Sequence, residues 1–161
     1  MRSHVDNVLP NLEFIVGTYK EEHGGELKGI DTNTASAAYR YLLKGDCGSL
    51  GLVTLDDLAR AFDVEISRFF LPLGEPKPRE KYFVSAFPNN LHYYRKKALL
   101  SFSSLAREAG LGFGNSIKNY ETCKSVPALD IVQNLADAFG VEVLEMFKLN
   151  LKEWKEVGII E

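Results

Sequence analysis

Apolar residues recur at helical intervals through the first seventy positions of the chain. Between residues 7 and 22 they fall on one helical face: Val8, Leu12, Ile15, Val16 and Tyr19. Gly24 and Gly25 then end this predicted helix. The pattern next predicts a short helix over Glu26–Ile30 and, after a capping turn at Asp31–Thr34, a helix over Ala35–Leu43. A third helix is predicted over Leu55–Phe62, where Thr54 and Asp57 form a variant of the capping box at its start. A last turn is predicted over Ser67–Leu71.

The second half of the chain predicts a similar series. Its first helix begins near Pro88, with Leu91, Tyr94 and Ala98 inward. Three cations on this helix point mostly elsewhere: Arg95, Lys96 and Lys97. The next predicted helix is capped by Ser101 and runs to Ala109, and a turn at Gly110–Gly114 follows it. A helix over Asn115–Glu121, with Ile117 and Tyr120 buried, and a loop at Thr122–Pro127 come next. Two further helices are predicted over Leu129–Phe139 and Val143–Phe147. Leu149–Glu161 adds an amphipathic segment with an apolar stripe of Leu151, Trp154 and Val157.

One stretch of thirteen residues occurs twice. Leu58–Phe70 returns seventy-seven positions later as Leu135–Phe147, with Leu, Ala, Ala, Phe, Val, Glu and the final Phe at matching places. A match of this length at a fixed offset indicates an internal repeat, and its period suits a small domain. The segment Pro72–Lys81 holds three prolines and one glycine, which is typical of a semi-stiff linker. We therefore predict two modules, 1–72 and 88–161, joined by a linker at 73–87.

Composition narrows the class of protein. At 45% hydrophobic and 11% aromatic residues, a chain of 161 residues can bury a core. No run reaches the ~20 apolar residues of a membrane span. The start, Met1–Asp6, lacks the apolar region of a signal peptide. Cys47 and Cys123 form neither a disulfide framework nor a metal quartet. Together these features predict a soluble, cytoplasmic protein with no membrane partner.

Candidate chemistry is sparse. The histidines His4, His23 and His92 have no ligand spacing, and we find no Gly-rich phosphate loop, nucleophile motif or paired carboxylates. We therefore predict a protein that is not an enzyme and needs neither a metal nor a cofactor. The pair Tyr93 and Tyr94 could stack on bases, but helical spacing favours a place in the core. Cys47 and Cys123 occupy nearly equivalent loops; a redox switch is conceivable, and free structural thiols are favoured.

The charge is unevenly distributed. Residues 1–74 hold seven basic and eleven acidic residues, residues 76–124 hold nine and three, and residues 125–161 hold three and seven. A basic middle between acidic ends can be an electrostatic footprint for phosphate, against the alternative of ordinary surface scatter.

The second module resembles the Cro and lambda-repressor type of helix-turn-helix, also called XRE-like. The resemblance covers nearly all of residues 90–148. It rests on four segments: Leu91 with Tyr94 and Arg95, Ser101–Leu111, Ile117–Glu121, and Val126 and Pro127 followed by Leu135–Val141. It implies an all-α fold of two tandem five-helix domains. Phe102 stands where the family usually has Gln, and the turn at Gly110–Gly114 is one residue longer than usual. In the first module Glu26–Ile30 is shortened and Leu42 stands where Glu is usual.

In this family the third helix lies in the major groove, and polar residues around it hold phosphates. In the second module the resemblance places Phe113, Asn115, Ser116, Lys118 and Asn119 outward, with Ser101, Ser103 and Lys124 near phosphates. In the first module the outward set is Thr32, Asn33, Thr34, Ser36, Ala37 and Arg40, with Lys44 near phosphate. The acidic residues around the first module oppose its electrostatic attraction to DNA phosphates. The first module therefore either contacts DNA or is a structural copy that docks on its partner.

The leading hypothesis is a sequence-specific DNA-binding transcriptional regulator, expected to be a repressor, that binds double-stranded DNA. Family members usually dimerise, so we also predict a homodimer through the Trp154 stripe and the acidic flanks. The alternative is a protein-binding helix-turn-helix module, such as an antitoxin-like or phage-encoded inhibitor. The overall acidity and the Phe102 departure favour that alternative modestly.

Overall fold

The computed structural model describes residues 5–161, and these residues are helical, with no β-strand. The predicted all-α class is confirmed. Met1–His4, and with them the predicted start of the first module and one of the histidines, lie outside the described residues. The helices are α1 (Val8–Glu22), α2 (Thr32–Lys44), α3 (Leu52–Ala61), α4 (Ser67–Phe70), α5 (Phe87–Lys97), α6 (Phe102–Glu108), α7 (Gly114–Glu121), α8 (Leu129–Phe139) and α9 (Leu151–Glu156). Three 3-10 turns accompany them: η1 (Val5–Asn7), η2 (Val84–Ala86) and η3 (Val143–Phe147).

The predicted short helix over Glu26–Ile30 is wrong, because this segment is a succession of turns. Gly29 has a φ of 81°, in the left-handed region that an L residue rarely adopts, which interrupts any helix there. The hydroxyl of Tyr19 donates to the Lys28 carbonyl and holds the turn against α1. The first half of the molecule (residues 5–80) therefore reaches α2 directly from α1, without a helix between them.

Helices α3 and α8 cap each other. Their N-cap residues, Gly51 and Ala128, supply no side-chain cap. Instead, the Leu52 amide donates to the Pro127 carbonyl at 3.2 Å. The Leu129 amide donates to the Leu50 carbonyl at 2.9 Å. Each bond satisfies a helix-end amide that has no partner inside its own helix.

This mutual capping corrects the predicted start of α3. The helix begins three residues before Leu55, and Thr54 and Asp57 do not form its cap. Asp57 instead accepts a hydrogen bond from Arg60 at 2.8 Å on the exposed side of the helix.

The two bonds reveal an approximate two-fold relation between the halves. Gly51 and Ala128 pair as an antiparallel bridge, and they are seventy-seven positions apart, the offset of the sequence repeat. Reciprocal bonds between equivalent residues are the signature of an isologous interface, in which one patch meets its own copy. The rings of Phe70 and Phe147, also equivalent, stack with centroids 5.5 Å apart. Buried side chains from both halves form one continuous hydrophobic cluster.

A buried asparagine marks the repeat in each half. Asn11 of α1 donates to the carbonyls of Phe69 and Leu71, at 2.9 and 2.7 Å. Asn90 of α5 lies seventy-nine positions later and donates to the carbonyls of Met146 and Lys148, at 3.0 and 2.8 Å. The same separation relates the buried core residues Ala38 of α2 and Ile117 of α7. The relation between the halves therefore includes their first helices, where the sequences hardly match.

The C-terminal segment packs on the second half (residues 81–161). Trp154 of α9 is only 4% exposed, and its indole Nε1 donates to the Asn90 Oδ1 at 2.9 Å. Val157, Ile159 and Ile160 cover the same spot. Of the predicted apolar stripe, Trp154 and Val157 pack here, whereas Leu151 is 49% exposed. Trp154 is buried within its own chain. It is not available as the dimer surface suggested for it.

Candidate nucleic-acid interface

Helices α6 and α7 form the most closely packed helix pair described here. Ser101 caps α6 as predicted, with its Oγ accepting from the Ser104 amide at 3.0 Å. At the start of α7, a Cβ added to Gly114 would lie 2.8 Å from the Ser103 amide nitrogen. Only a glycine allows α7 to begin this close to the α6 backbone. Leu105 and Ile117 are fully buried beneath the pair.

A buried ion pair ties α7 to α5. The Arg95 Nε lies 3.1 Å from both carboxylate oxygens of Glu121, and its Nη1 donates to the Leu100 carbonyl. His92 Nδ1 lies 2.9 Å from the same carboxylate. Arg95 was expected to point away from the core and was counted in the basic footprint. The structure corrects this, because its charge is neutralised inside the fold.

The side chain of Phe102 completes this arrangement. Its ring lies beneath the Arg95 guanidinium, with 4.2 Å from Cζ to the ring centroid, and the residue is half-buried. A cation over an aromatic face is favourable. Phe102 therefore has a structural role, since it supports the ion pair from outside.

The outward residues expected in the second half are all accessible. Phe113 is 79% exposed at the start of α7. Ser101, Ser103, Asn115, Lys118 and Lys124 are exposed, whereas Ser116 and Asn119 are half-buried. The N-cap residue of α7, Phe113, makes no side-chain cap hydrogen bond, so no carboxylate or hydroxyl of that residue occupies the start of the helix. This helix can offer amides, an amide side chain and a lysine to a polyanion.

The residues expected in the first half lie on α2 and are also accessible. Thr32, Asn33, Ser36, Arg40 and Lys44 are exposed and Thr34 is half-buried. Ala37 was expected to face outward and is instead buried against the core, only 5% exposed. The Lys44 ammonium donates to the Ser49 Oγ at 2.7 Å.

The N-terminus of α2 is closed by a carboxylate. Asp31 Oδ2 accepts from the amides of Asn33 and Thr34, at 3.1 and 3.2 Å. This is the capping turn that the sequence predicts. The Asp31 carboxylate therefore already interacts with the partial positive charge at the N-terminus of α2. A phosphate approaching α2 meets a negative group where one approaching α7 does not.

Two cations beside α7 were missed as candidate site residues. Lys96 near the end of α5 and Arg107 near the end of α6 are exposed. Within residues 5–161 neither forms an ion pair, and the same holds for Lys118 and Lys124. Their position in the last turns of two helices within the basic segment 76–124 is the signal in the sequence that could have identified them.

The tyrosine pair belongs to the core, as the helical spacing favours. Tyr93 is 8% exposed, and the Tyr94 hydroxyl donates to Glu145 Oε2 at 3.4 Å. Burial, and then the neighbouring Glu145 carboxylate, raise the pKa of Tyr94 well above its ordinary value. Both rings are therefore occupied within the fold and do not offer free faces to bases.

The two thiols differ in their surroundings. Cys47 is buried, and burial together with the Asp46 carboxylate raises its pKa to about 11. Cys123 is exposed. Among residues 5–161 no group of three or more His, Cys, Asp or Glu side chains is arranged to hold a metal ion. In the same range, every helix is too short or too polar to cross a bilayer.

Comparisons with known proteins add no relative. No protein-family model matches the chain, and neither the curated proteins nor the solved structures contain a significant match to it.

Proposed function

We propose that this protein is a sequence-specific DNA-binding transcriptional regulator, acting as a repressor, built from two tandem lambda-repressor-like domains. In the second domain α6 and α7 are the helix-turn-helix, and α7 enters the major groove. The observation that carries the proposal is the exposed, uncapped start of α7, with Asn115 and Lys118 on it. Amide side chains pair with adenine and lysines with guanine in the major groove.

Two features support α7 as the reading helix. The buried pair of Arg95 and Glu121 fixes it to α5, and Gly114 lets it approach α6 closely. A reading helix held by such supports keeps its side chains in register with the base edges. The exposed cations around it, among them Lys96, Arg107 and Lys124, are suited to the phosphates on either side.

We expect the first domain to contribute less to DNA binding than the second. Helix α2 occupies the place equivalent to α7, and it offers Arg40 and Lys44. Its start, however, is closed by Asp31, in an acidic half of the chain. We therefore expect α7 to read most of the sequence and α2 to add contacts to the backbone. The operator would then consist of two unlike half-sites. A homodimer, if it forms, uses a surface other than Trp154.

In-vitro selection from a random DNA library tests the proposal directly. The selected duplex should bind with an affinity that falls steeply as salt rises, because binding releases condensed counterions. Asn115→Ala and Lys118→Ala should each weaken binding by about 1–3 kcal/mol, or roughly 5- to 150-fold, in fluorescence anisotropy. Arg40→Ala should cost only a few-fold. Unchanged affinity in the first two variants would remove α7 from the interface.

A second candidate function is a protein-binding module that uses the same fold. The observation in its favour is an open apolar groove in the acidic first half, opposite in character to the polar start of α7. If neither random nor selected duplexes bind at low salt, this candidate replaces DNA binding.

A further inference from the structure

An apolar groove lies open on the first half of the molecule. It runs between α1, α4 and the residues that follow α4, and we call it the α1–α4 groove. Its walls are mainly Phe14, Ile15, Tyr19, Phe62, Val64 and Leu73. Phe14 is 52% exposed and Leu73 is 55% exposed, which is unusual for large apolar side chains that face each other across a groove. Its volume of about 260 Å³ is below the ~300–1,000 Å³ of typical small-molecule sites.

The second half contains the same groove, and there it is filled. Applying the separation of the buried asparagines, Phe14 corresponds to Tyr93 and Ile15 to Tyr94. Tyr93 is 8% exposed because Trp154, Val157, Ile159 and Ile160 pack over it. The internal repeat thus shows what kind of segment covers this surface: a short amphipathic helix with one tryptophan, followed by aliphatic residues.

A hydrogen bond distinguishes the filled groove from the open one. Asn90 Oδ1 accepts from the Trp154 indole at 2.9 Å and from Asn150 Nδ2 at 3.0 Å. Asn11 is only 2% exposed, lines the α1–α4 groove and uses its Nδ2 in the same way as Asn90. Among residues 5–161, however, no group donates to Asn11 Oδ1. The amide oxygen of Asn11 can accept a hydrogen bond, and an incoming indole N–H would supply a donor from the side of the groove.

We propose that the α1–α4 groove binds a helical segment of another protein, which inserts a tryptophan and donates its indole N–H to Asn11 Oδ1. No segment of residues 5–161 fills the groove, because after α4 the chain leaves through Pro72 and Leu73. A second copy is disfavoured as the occupant. The chain has one tryptophan, so lending Trp154 to a neighbour would empty the groove of the second half to fill that of the first.

The chain's own C-terminal sequence provides the probe. A synthetic peptide of residues 148–161 is titrated to about 1 mM into the ¹⁵N-labelled full-length protein, followed by amide chemical shifts. The expected result is a saturable shift of the signals of Phe14, Thr18 and Leu73, with α7 unaffected. A peptide carrying Trp154→Phe keeps an aromatic ring, although a smaller one, and lacks the indole N–H. It should bind roughly 2- to 10-fold more weakly, as expected for one hydrogen bond.

Two groove variants and one matched control complete the test. Phe14→Asp, and independently Leu73→Asp on the loop, should abolish the shifts. Leu43→Asp should not, because Leu43 is 88% exposed on α2 and away from the groove. Phe14→Asp should also bind the selected DNA duplex like the unaltered protein, so that the groove and the DNA interface can fail separately.

Three results would overturn the proposal. The first is the absence of groove shifts at millimolar peptide. The second is equal binding by Phe14→Asp, Leu73→Asp and the unaltered protein. The third is a shift of the same signals on concentrating the protein alone, with a matching rise in mass by light scattering, which would make a second copy the occupant.

Discussion

The two halves of this molecule solve the same packing problem with different chemistry. In the second half, the first helix is tied to the proposed reading helix by Arg95 and Glu121. At the equivalent places, seventy-nine positions earlier, the first half has Val16 and Leu42, both in the hydrophobic cluster. A buried ion pair is seldom more stable than a well-packed apolar pair of similar volume, because both charges must be desolvated. We therefore expect the pair in the second half to fix geometry more than to add stability.

The N-termini of α2 and α7 also differ between the two halves. Asp31 closes α2 with its own carboxylate, whereas Phe113, the N-cap residue of α7, makes no side-chain cap hydrogen bond. The first half has adopted the arrangement that stabilises a helix, and the second half leaves its helix start accessible. Stability and accessibility are thus divided between the two copies, as expected if one copy supports and the other reads.

Removing the tryptophan should show how much the filled groove contributes. Trp154→Ala deletes a buried aromatic and leaves Asn90 Oδ1 with one donor fewer, so we expect a loss of about 3–5 kcal/mol in the free energy of unfolding. Phe14→Ala in the open groove should change it by no more than about 0.5 kcal/mol. Urea denaturation followed by circular dichroism measures both. Similar losses in the two variants would mean that the α1–α4 groove is already closed in solution.

The ion pair offers a comparison of almost equal size. Glu121→Leu leaves Arg95 buried without its counter-charge and should cost about 3–5 kcal/mol. The double variant Arg95→Val with Glu121→Leu, which copies the first half, should recover most of this loss. Urea denaturation of both proteins, with DNA affinity measured in parallel, separates stability from geometry. Recovered stability with full DNA affinity would contradict a geometric role for the pair.

A smaller effect should follow from opening the start of α2. Asp31→Ser keeps a capping oxygen and removes the negative charge. If α2 lies beside phosphate, relief of a repulsion of about 1 kcal/mol should raise affinity about fivefold at low salt. The gain should shrink as salt screens the charges. Fluorescence anisotropy with the selected duplex at two salt concentrations is the measurement. No change at low salt would show that α2 stays away from the DNA.

The thiols give the mildest test of the difference between the halves. At pH 8 the exposed Cys123 should react readily with iodoacetamide. Cys47, with its pKa raised to about 11, should react at least ~100-fold more slowly, because the thiolate is the reactive form. Its rate should rise with pH until the thiol ionises. Mass spectrometry of the alkylated chain measures both sites, and urea-unfolded protein, in which both react, is the control.

Much of the architecture could be predicted from the sequence. Most of the positions at which Leu58–Phe70 and Leu135–Phe147 match are buried or half-buried, and burial allows few alternative residues there. The bounds of α8, the capping by Ser101 and Asp31, and the outward residues of α7 follow from equally local rules. Such features depend on residues within one or two helical turns, so a single chain segment is enough to predict them.

The rest depended on contacts between distant residues. Thr54 was taken as the cap of α3 because a helix start is expected to carry a capping side chain. The true start, with Gly51 as the N-cap residue, needs none, since the Leu52 amide donates to the Pro127 carbonyl of the other half. Likewise, Glu121, twenty-six positions away, neutralises the charge of Arg95. The indole of Trp154 donates a hydrogen bond to Asn90. The residue pattern within one segment cannot predict such distant partners.

The reciprocal capping at Gly51 and Ala128 has a consequence for helical phase on DNA. Two backbone hydrogen bonds join the starts of α3 and α8, and we expect them to keep α2 and α7 at one separation and one relative rotation, whatever the length of the connecting segment. One base pair inserted between the proposed half-sites turns the second by roughly 35°, given 10–10.5 base pairs per turn. A flexible tether would absorb that rotation, but this bridge cannot. Lengthening the segment between the halves should therefore leave the preferred operator spacing unchanged.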